Sequence, residues 1–368
     1  MRRLELFDLS RNFFLLKSVY HLRRLRATLP HGHTADGSAA ELRGEFYEKL
    51  WADAAAEVGA GCKSLGHGIC EITKDGLVTR VQQNCTAIDD PVTLTIALNK
   101  ALVNHMLGRA GLPIPRHVAF TLRTLSTAVD FLEQTQGPCV VKPASGTGGG
   151  QGVTTGIRTA RQLAWAATLA AQASPDMLVE QQIAGDNYRL LYLDGVLLDA
   201  IRRCPPHVTG DGRSSIRTLI QEANAARLSR GSTISQVQIS IDPDMHNTLS
   251  QQGLTLTTVP AAGALVPVKT VISQNFAADN RTVTDQLCPS IIADGAQAAR
   301  SIGVRLAGID VITRDPTVPL AQCGGVILEV NTTPGFHYHY HKNDGSYPVA
   351  VRVLEQLFRD LRRQSACY

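Results

Sequence analysis

The sequence predicts a mixed α/β fold of the α+β type, arranged in two or three domains. The 368 residues are 44% apolar and 18% charged, an ordinary globular composition at a length that exceeds one typical domain. Segments with helical spacing alternate with short apolar segments that resemble strands. Several strand pairs are separated only by turn residues, so we expect hairpins and not one doubly wound parallel sheet.

The first 90 residues are expected to form a smaller N-terminal domain. A helical segment, EFYEKLWADAAAEVGA, is followed there by the strand-like pieces CEIT and LVTRVQQ. The next segment, PVTLTIALNKALVNHMLGRAGLPIP, is predicted to be one helix, because Leu94, Leu98, Leu102 and Met106 recur on one face.

The remaining elements alternate in type. The pieces PCVVKPA, GVTTGI and MLVEQQI are predicted strands, and YRLLYLDGVLLDAIRR is a predicted hairpin that turns at Asp194-Gly195. Helices are predicted at TARQLAWAATLAAQA, SSIRTLIQEANAARL and SIIADGAQAARSIG. Two strands, LAGIDVIT and GVILEVN, and a last helix, PVAVRVLEQLFRDLRR, complete the pattern.

Composition excludes several classes of partner. The net charge of +4 and pI of about 8.6 suit an anionic small ligand better than a nucleic-acid track. Arginines near the start alternate with Leu and Phe, which indicates an amphipathic element; an RNA-binding patch is the alternative. The eight cysteines form no CxxC pair, so reduced thiols are expected. We expect a cytoplasmic protein without a membrane partner, since neither a signal peptide nor a membrane helix is evident.

The segment SGTGGGQG places five glycines just after Lys142, which lies in the apolar run VVKP. The order of residues excludes both the Walker pattern and GxGxxG, and the loop joins two strands. Glycines allow positive φ and bring backbone N–H groups close to an anion. A buried lysine needs an anionic partner, and a polyphosphate would supply one. The alternative is a flexible surface hairpin whose lysine reaches solvent.

Two predicted strands contain carboxylates within apolar residues. Asp310 lies in GIDVIT, and Glu329 and Asn331 lie two apart in ILEVN, so the latter two share one face. If these strands pair, the three oxygen-bearing side chains converge on a site that suits Mg²⁺. The alternative is that they are ordinary exposed strand residues.

Three arginines are candidates for neutralising a transferring phosphoryl group: Arg189 in DNYR, and Arg202 and Arg203 in AIRRCPP. The alternative for each is a position on a charged surface strand.

Taken together, these motifs resemble the ATP-grasp superfamily and, within it, the ATP-grasp domain of cyanophycin synthetase. The resemblance covers roughly residues 88 to 355 and includes VVKPASGTGGGQGVTTGI, GIDVIT and ILEVNTTPGFHYHYH, in order. It implies two α+β subdomains that clamp ATP after a smaller N-terminal domain. The implied division is 1–90 for the N-terminal domain, 91–185 for the subdomain with the glycine loop, and 186–368 for the subdomain with the Mg²⁺-binding strands.

The resemblance also implies residue roles. Lys142, Lys100 and the loop glycines Gly148, Gly149 and Gly150 would contact the phosphates of ATP. Glu180 would lie at the adenine hinge and Asp186 at the ribose. Arg202 or Arg203, with Arg189, would meet the transferred phosphate, and Asp310, Glu329 and Asn331 would hold Mg²⁺.

Two departures from the family pattern fall where substrates should bind. The segment ISQNFAADNRT lacks the family's glycines, and a histidine follows PGF where a basic residue is expected. We therefore expect substrate contacts from Asn275, Arg281, His337 and His339. The alternative is that His337, His339 and His341 alternate on a metal-binding strand.

The expected activity is that of an ADP-forming ligase that joins small amino acids through an acyl phosphate, in a peptide or γ-glutamyl-type amide. Because the chain ends soon after the ATP-grasp region, we expect a single condensation and not polymerisation. The alternatives are glutathione-synthetase-like extension of a γ-glutamyl peptide, a kinase that releases an acyl phosphate, and a nucleotide-binding module without ligase activity. The family also suggests a homodimer.

Overall fold

The computed structural model describes residues 34–229 and 238–366, so the arginine-rich start of the chain lies outside the described residues. The helices of this part are α1 (Thr34–Glu57), α2 (Pro91–Ala97), α3 (Lys100–Arg109), α4 (Leu125–Gln134), α5 (Ala160–Ala170), α6 (Ile216–Ser229), α7 (Pro243–Gln251), α8 (Pro289–Ile302), α9 (Leu320–Cys323), α10 (His337–Tyr340) and α11 (Val349–Ser365).

The strands are β1 (Gly61–Gly66), β2 (Ile69–Lys74), β3 (Leu77–Gln82), β4 (His117–Phe120), β5 (Cys139–Pro143), β6 (Thr154–Ile157), β7 (Met177–Gln181), β8 (Asp186–Leu193), β9 (Val196–Arg203), β10 (His207–Thr209), β11 (Leu265–Pro267), β12 (Arg281–Thr282), β13 (Leu306–Thr313) and β14 (Val326–Thr332). Short 3₁₀ turns lie at Leu122–Thr124, Ile272–Gln274, Ala277–Asp279 and Thr284–Gln286. The predicted mixture of helices and antiparallel sheets is confirmed.

The N-terminal part of the described chain is a helix packed on a three-stranded antiparallel meander, β1-β2-β3. Tyr47 and Trp51 of α1 are buried against Phe336, and the same apolar cluster includes residues of α11. This part therefore shares a core with the last helix and with the segment that follows β14.

A four-stranded antiparallel sheet, β4-β7-β5-β6, holds the glycine loop between β5 and β6. One face of this sheet is covered by α4 and α5, and Val141, Val179 and Leu163 are fully buried there. Since side chains alternate along a strand, Lys142 and Glu180 point away from this core.

The larger sheet has five antiparallel strands in the order β12-β9-β8-β13-β14. The predicted β8–β9 hairpin is confirmed, and Asp194 and Gly195 both have positive φ, as a tight two-residue turn requires. One face packs through Leu190 and Ile309 on a cluster that includes α3 and α8. The other face packs partly through Leu191 and Leu306 on the cluster that includes α1 and α11. The functional residues lie on this second face.

A fourth unit consists of the β10–β11 ribbon with α6 and α7. The fully buried Asp244 of α7 accepts hydrogen bonds from the Thr155 side chain of β6 (2.6 Å) and from the backbone N–H groups of Thr270 and Val271. This carboxylate therefore fixes the end of the glycine hairpin to segment 270–271.

One sequence prediction of secondary structure is wrong, and so is one alternative. The segment after Pro91 is two helices, because the Asn99 side chain accepts a hydrogen bond from the N–H of Leu102 and so begins a new helix. Leu98 is 54% exposed in the break and Leu102 is also exposed, so the predicted apolar face is not continuous. The HYHYH segment forms the single-turn helix α10, so its histidines do not alternate on a strand.

Among the described residues, none of the helices has the length and apolarity needed to cross a membrane.

Two helical glycines give opposite predictions for the same substitution. A Cβ at Gly295 of α8 would lie 2.3 Å from the Oη of the buried Tyr192, whereas a Cβ at Gly44 of α1 would meet nothing within 4 Å. Gly44→Ala should raise the free energy of unfolding by about 0.5–1 kcal/mol through helix propensity. Gly295→Ala should lower it by about 1–3 kcal/mol through overpacking. Urea titration of both variants measures this, and a stabilised Gly295→Ala would contradict the packing described.

Candidate active site

Lys142 and Glu180 form a buried ion pair on the face of the four-stranded sheet that points away from its core. Their Nζ and Oε1 atoms are 2.8 Å apart, and the Asn104 amide of α3 donates to the same carboxylate at 3.3 Å. The Lys142 side chain is only 7% exposed, which rules out a lysine that reaches solvent. The sequence alone pointed to a polyphosphate as its partner. Pairing of β5 with β7 instead supplies Glu180, from a neighbouring strand.

The glycine loop lies against the turn formed by residues 271–275. Gly149 and Gly150 have φ of 63° and 73°, and a Cβ at Gly150 would lie 2.3 Å from the Ser273 Oγ and 2.6 Å from Val271. Only glycine fits this approach without displacing a neighbour. The Oγ of Ser273 is buried and has no hydrogen-bond partner among the described residues.

The two predicted carboxylate strands pair as expected. Asp310 of β13 lies directly opposite Glu329 of β14, and Asn331 lies opposite Gly308, so the three polar side chains share one face. The Asn331 amide donates to Asp310 Oδ2 at 3.3 Å. Glu329 Oε1 forms an ion pair with Lys100 Nζ at 3.0 Å, and the same Nζ donates to the carbonyl of Thr147 at 3.4 Å. Lys100 thus connects the glycine loop to the larger sheet.

Arg189 binds Asp310 in a two-pronged ion pair. Its Nε and Nη2 both donate to the carboxylate, the latter at 2.8 Å, and both side chains are largely buried. Burial alone would raise the pKa of Asp310, but the guanidinium of Arg189 more than offsets it, so the pKa is lowered. Asp310 therefore carries its negative charge at neutral pH.

Arg203 is a second buried guanidinium beside this pair. Its Nη1 lies 3.9 Å from Asp310 Oδ2, and its Nη2 donates to the carbonyl of Ile272 at 3.2 Å and to Asn275 at 3.4 Å. Burial, and then the neighbouring Arg189 cation, lower the pKa of Arg203. Its Nε has no partner among the described residues. Two guanidinium groups share one buried carboxylate, so this face attracts an additional anion.

The structure separates the two adjacent arginines of the sequence. The Arg202 side chain points to the opposite face of the sheet from Arg203. It pairs with Asp186 at 2.9 Å and is half exposed. Arg202 and Asp186 therefore do not join Arg203 and Asp310, and their contacts with the phosphate and the ribose stay predictions.

No protein-family model matches the chain. Cyanophycin synthetase from Trichormus variabilis is 31% identical over 283 residues, which cover 76% of this chain and 31% of that protein. A glutathione biosynthesis bifunctional protein from Mannheimia succiniciproducens is 28% identical over 286 residues, or 76% of this chain and 37% of that protein. The chain thus spans about a third of the length of the curated relatives it matches.

Among solved structures, the bifunctional glutathione synthetase from Pasteurella multocida matches 85% of this chain and 43% of that chain, with a TM-score of 0.54 at 23% identity. The chain has the ATP-grasp fold. Its homology to the cyanophycin synthetases confirms the resemblance seen in the motifs.

In the ATP-grasp fold of this chain, the predicted site residues come from two sheets and the helix between them. Lys142 and Glu180 belong to the smaller sheet, and Arg189, Arg203 and Asp310 to the larger one. Helix α3 contacts both groups through Asn104 and Lys100. The 271–275 turn contacts the glycine loop at Gly150 and also contacts Arg203.

Helix α10 covers Arg189 and Arg203 of the candidate site. The Tyr338 ring lies 4.6 Å from the Arg203 guanidinium and 5.9 Å from that of Arg189. His337 is buried, and its Nδ1 has no partner among the described residues. His339 is fully buried and bonds Asp199 at 2.8 Å. The predicted substrate residues His337 and His339 are therefore near the site but enclosed.

Sequence reasoning missed the buried group around Asp199. Its carboxylate also accepts hydrogen bonds from Lys342 at 3.0 and 3.1 Å, and Lys342 donates to Thr282 of β12 at 2.7 Å. Burial would raise the pKa of Asp199, but the bonds from His339 and Lys342 lower it overall. The sequence contains a signal for this group, because Asp199 is a carboxylate within an apolar strand, as Asp310 is.

The other two predicted substrate residues lie apart. Asn275 donates to Asn280 at 2.6 Å and supports Arg203, whereas Arg281 lies on the edge strand β12 opposite Arg202. Only Asn275 is in contact with the Arg203–Asp310 group.

Asp310, Glu329 and Asn331 share one face and carry the oxygen donors that a hard cation prefers, although both oxygens of Asp310 already accept from Arg189. Among the described residues, no three His, Cys, Asp or Glu side chains are grouped to hold a metal by themselves, which also counts against a three-histidine metal site. The two carboxylates and one amide suit an ion that keeps phosphate and water ligands.

His337 predicts how stability depends on pH. Burial, and then the cations of Arg43 and other neighbours, hold its pKa well below the usual value. The unfolded chain binds a proton near pH 6.5 while the folded chain does not, so the free energy of unfolding should fall as pH decreases from 7 to 5. This residue should contribute about 1–2 kcal/mol to the decrease.

Denaturant titrations at several pH values measure this contribution. His337→Gln should flatten the decrease, and His105→Gln, an exposed position on α3, should leave it unchanged. Equal slopes for the wild type and His337→Gln would contradict a neutral buried imidazole.

Proposed function

We propose that the protein is an ADP-forming carboxylate–amine ligase that joins small amino acids by an amide bond. The observation that supports this most is the buried face on which Arg189, Arg203 and Asp310 meet Glu329, next to the glycine loop. An excess of buried positive charge beside oxygen ligands suits a transferring phosphoryl group. The names of the relatives, cyanophycin synthetase and glutathione synthetase, support a ligase.

ATP would bind between the two sheets. The N–H groups of Gly148, Gly149 and Gly150 and the side chains of Lys142 and Lys100 would contact its phosphates. Glu180 would lie at the adenine end of the cleft, where it already orients Lys142. The unpartnered Ser273 Oγ and Arg203 Nε are polar atoms that a phosphate oxygen would satisfy.

Asp310, Glu329 and Asn331 would hold Mg²⁺, which when bound neutralises phosphate charge. The Nζ of Lys100 lies 3.0 Å from Glu329 Oε1 in this structure. When Glu329 binds the metal, Lys100 would bind a phosphate oxygen in its place. Asp310 would stay fixed by Arg189, whose two donors hold it in one orientation.

The reaction would proceed in two steps. A carboxylate oxygen of the acid attacks the γ-phosphorus, the bond to the β-phosphate oxygen breaks, and ADP leaves. The amine nitrogen then attacks the acyl carbon, inorganic phosphate leaves, and the nitrogen loses a proton. Arg203 and Arg189 would stabilise the phosphoryl charge in both steps, while the glycine loop excludes water.

A matrix of amino-acid pairs tests the proposal. Purified protein with ATP and Mg²⁺ is incubated with each pair, and phosphate release and product mass are measured. Phosphate release that needs both an acid and an amine, with a product lighter by one water than the pair, supports a ligase. Turnover without any amine would indicate a kinase, and γ-glutamyl dipeptides as the only acids accepted would indicate glutathione-type extension. ATP binding without turnover for any pair would indicate a binding module.

Glu329 provides a direct test of the metal site. Glu329→Gln keeps the volume of a partly exposed side chain, so folding should survive, but turnover should fall at least about 100-fold because the metal ligand loses its negative charge. Glu133→Gln, an exposed change on α4, is the matched control. A near-normal rate for Glu329→Gln at saturating Mg²⁺ would remove Glu329 from the site.

Substitutions of Arg202 and Arg203 test which face of the larger sheet holds the transferred phosphoryl group. Arg203→Lys should lower kcat at least about 100-fold, because a lysine cannot donate to the phosphate and to the 271–275 turn at the same time. Arg202→Lys, at the half-exposed neighbouring position, should change kcat by less than about threefold. Steady-state kinetics measure both, and the reverse order of effects would show that the phosphate lies on the other face.

A further inference from the structure

A cavity of about 350 Å³ lies at the edge of the larger sheet, apart from the Arg203–Asp310 group. It is lined by Arg202, Cys204, His207, Asp279, Arg281 and Asn343. We call it the edge cavity. Arg202 and Arg281 are direct cross-strand partners on β9 and β12, so they share the face of the sheet that Arg203 does not occupy.

The positive side of the edge cavity is incompletely neutralised. Two like charges placed directly opposite on neighbouring strands destabilise the pair unless an anion offsets them. Asp186 offsets Arg202 at 2.9 Å. The exposed Arg281 side chain makes no ion pair or hydrogen bond to any described residue, so it is available to a carboxylate.

The negative side is formed by Asp279, which lies next to His207. Nδ1 of His207 lies 3.1 Å from the carbonyl of Pro205, and because a carbonyl only accepts, this nitrogen holds the proton. The Nε2 of His207 lies 4.0 Å from the Asp279 carboxylate, and the Arg227 cation also acts on that carboxylate. An ionised carboxylate only accepts hydrogen bonds, so Asp279 suits a donor such as an ammonium group.

The two opposite charges of the edge cavity do not neutralise each other. Asp279 and Arg281 are two residues apart, yet within the described chain they form no ion pair. The Asp279 backbone is held separately, since its carbonyl accepts from the Cys204 thiol at 3.2 Å. A cavity with an available guanidinium at one side and an ammonium acceptor at the other matches a small molecule that carries both charges.

We propose that the edge cavity binds a free α-amino acid as its zwitterion, with the carboxylate at Arg281 and the ammonium at Asp279. Its position on the opposite face of the sheet makes it a site separate from the point of phosphoryl transfer. The proposal does not depend on the ligase activity, because binding here requires neither ATP nor turnover.

Ligand-observed NMR titration of the full chain without ATP tests the proposal, with L-alanine as the probe. Propionate and ethylamine are the matched probes, since each keeps only one of the two charges. Alanine should bind at least about tenfold more tightly than either. Arg281→Ala and Asp279→Asn should each weaken alanine binding at least about tenfold, whereas Arg161→Ala, an exposed change on α5, should not.

Three outcomes would overturn the proposal: no alanine binding to the wild type, equal binding by wild type and Arg281→Ala, or propionate binding as tightly as alanine. If the protein turns over, the Michaelis constants of Arg281→Ala separate this site from the substrate sites. An unchanged KM for the amine supports a separate site. A KM raised as much as binding is weakened would show that the edge cavity is the acceptor site, which contradicts the separation.

Discussion

The buried ion pair between Arg189 and Asp310 is the interaction on which the candidate active site depends. Taking both charges out of water is costly, and a buried pair is not by itself a stabilising device. Here it fixes a carboxylate in the middle of the larger sheet, and Arg203 and Asn331 are oriented around that carboxylate. Loss of either partner would leave an uncompensated charge and cost about 3–5 kcal/mol. The arrangement is understandable if the excess positive charge serves an anion that binds only during function.

Around this pair, the fold brings together groups that are far apart in sequence. Lys100 lies between the glycine loop and Glu329, and Asp244 holds β6 to Thr270 and Val271, at the start of the 271–275 turn. The turn lies against Gly150 on one side and Arg203 on the other. A movement of the glycine loop therefore changes the surroundings of the arginines directly, which is the coupling that a clamp on a triphosphate needs.

Local chemistry made part of this structure predictable from sequence. The Asp194-Gly195 turn and the alternation around Asp310 and Glu329 identified the hairpin and the shared face, because both signals extend over a few residues. The side of the sheet taken by Arg202 or Arg203 was not predictable, since a shift of one residue exchanges the faces. The partner of Lys142 depends on the pairing of β5 with β7, and the helix break depends on one capping side chain, Asn99. Neither is visible in the periodicity of the surrounding residues.

A crystal structure with a non-hydrolysable ATP analogue and Mg²⁺ tests the central claim most directly. We predict the γ-phosphate beside Arg203 on the Asp310–Glu329 face, with the Gly148–Gly150 loop closed over the phosphates. Phosphates found against Arg202 on the opposite face, or a bound analogue whose phosphates do not touch the glycine loop, would contradict the claim.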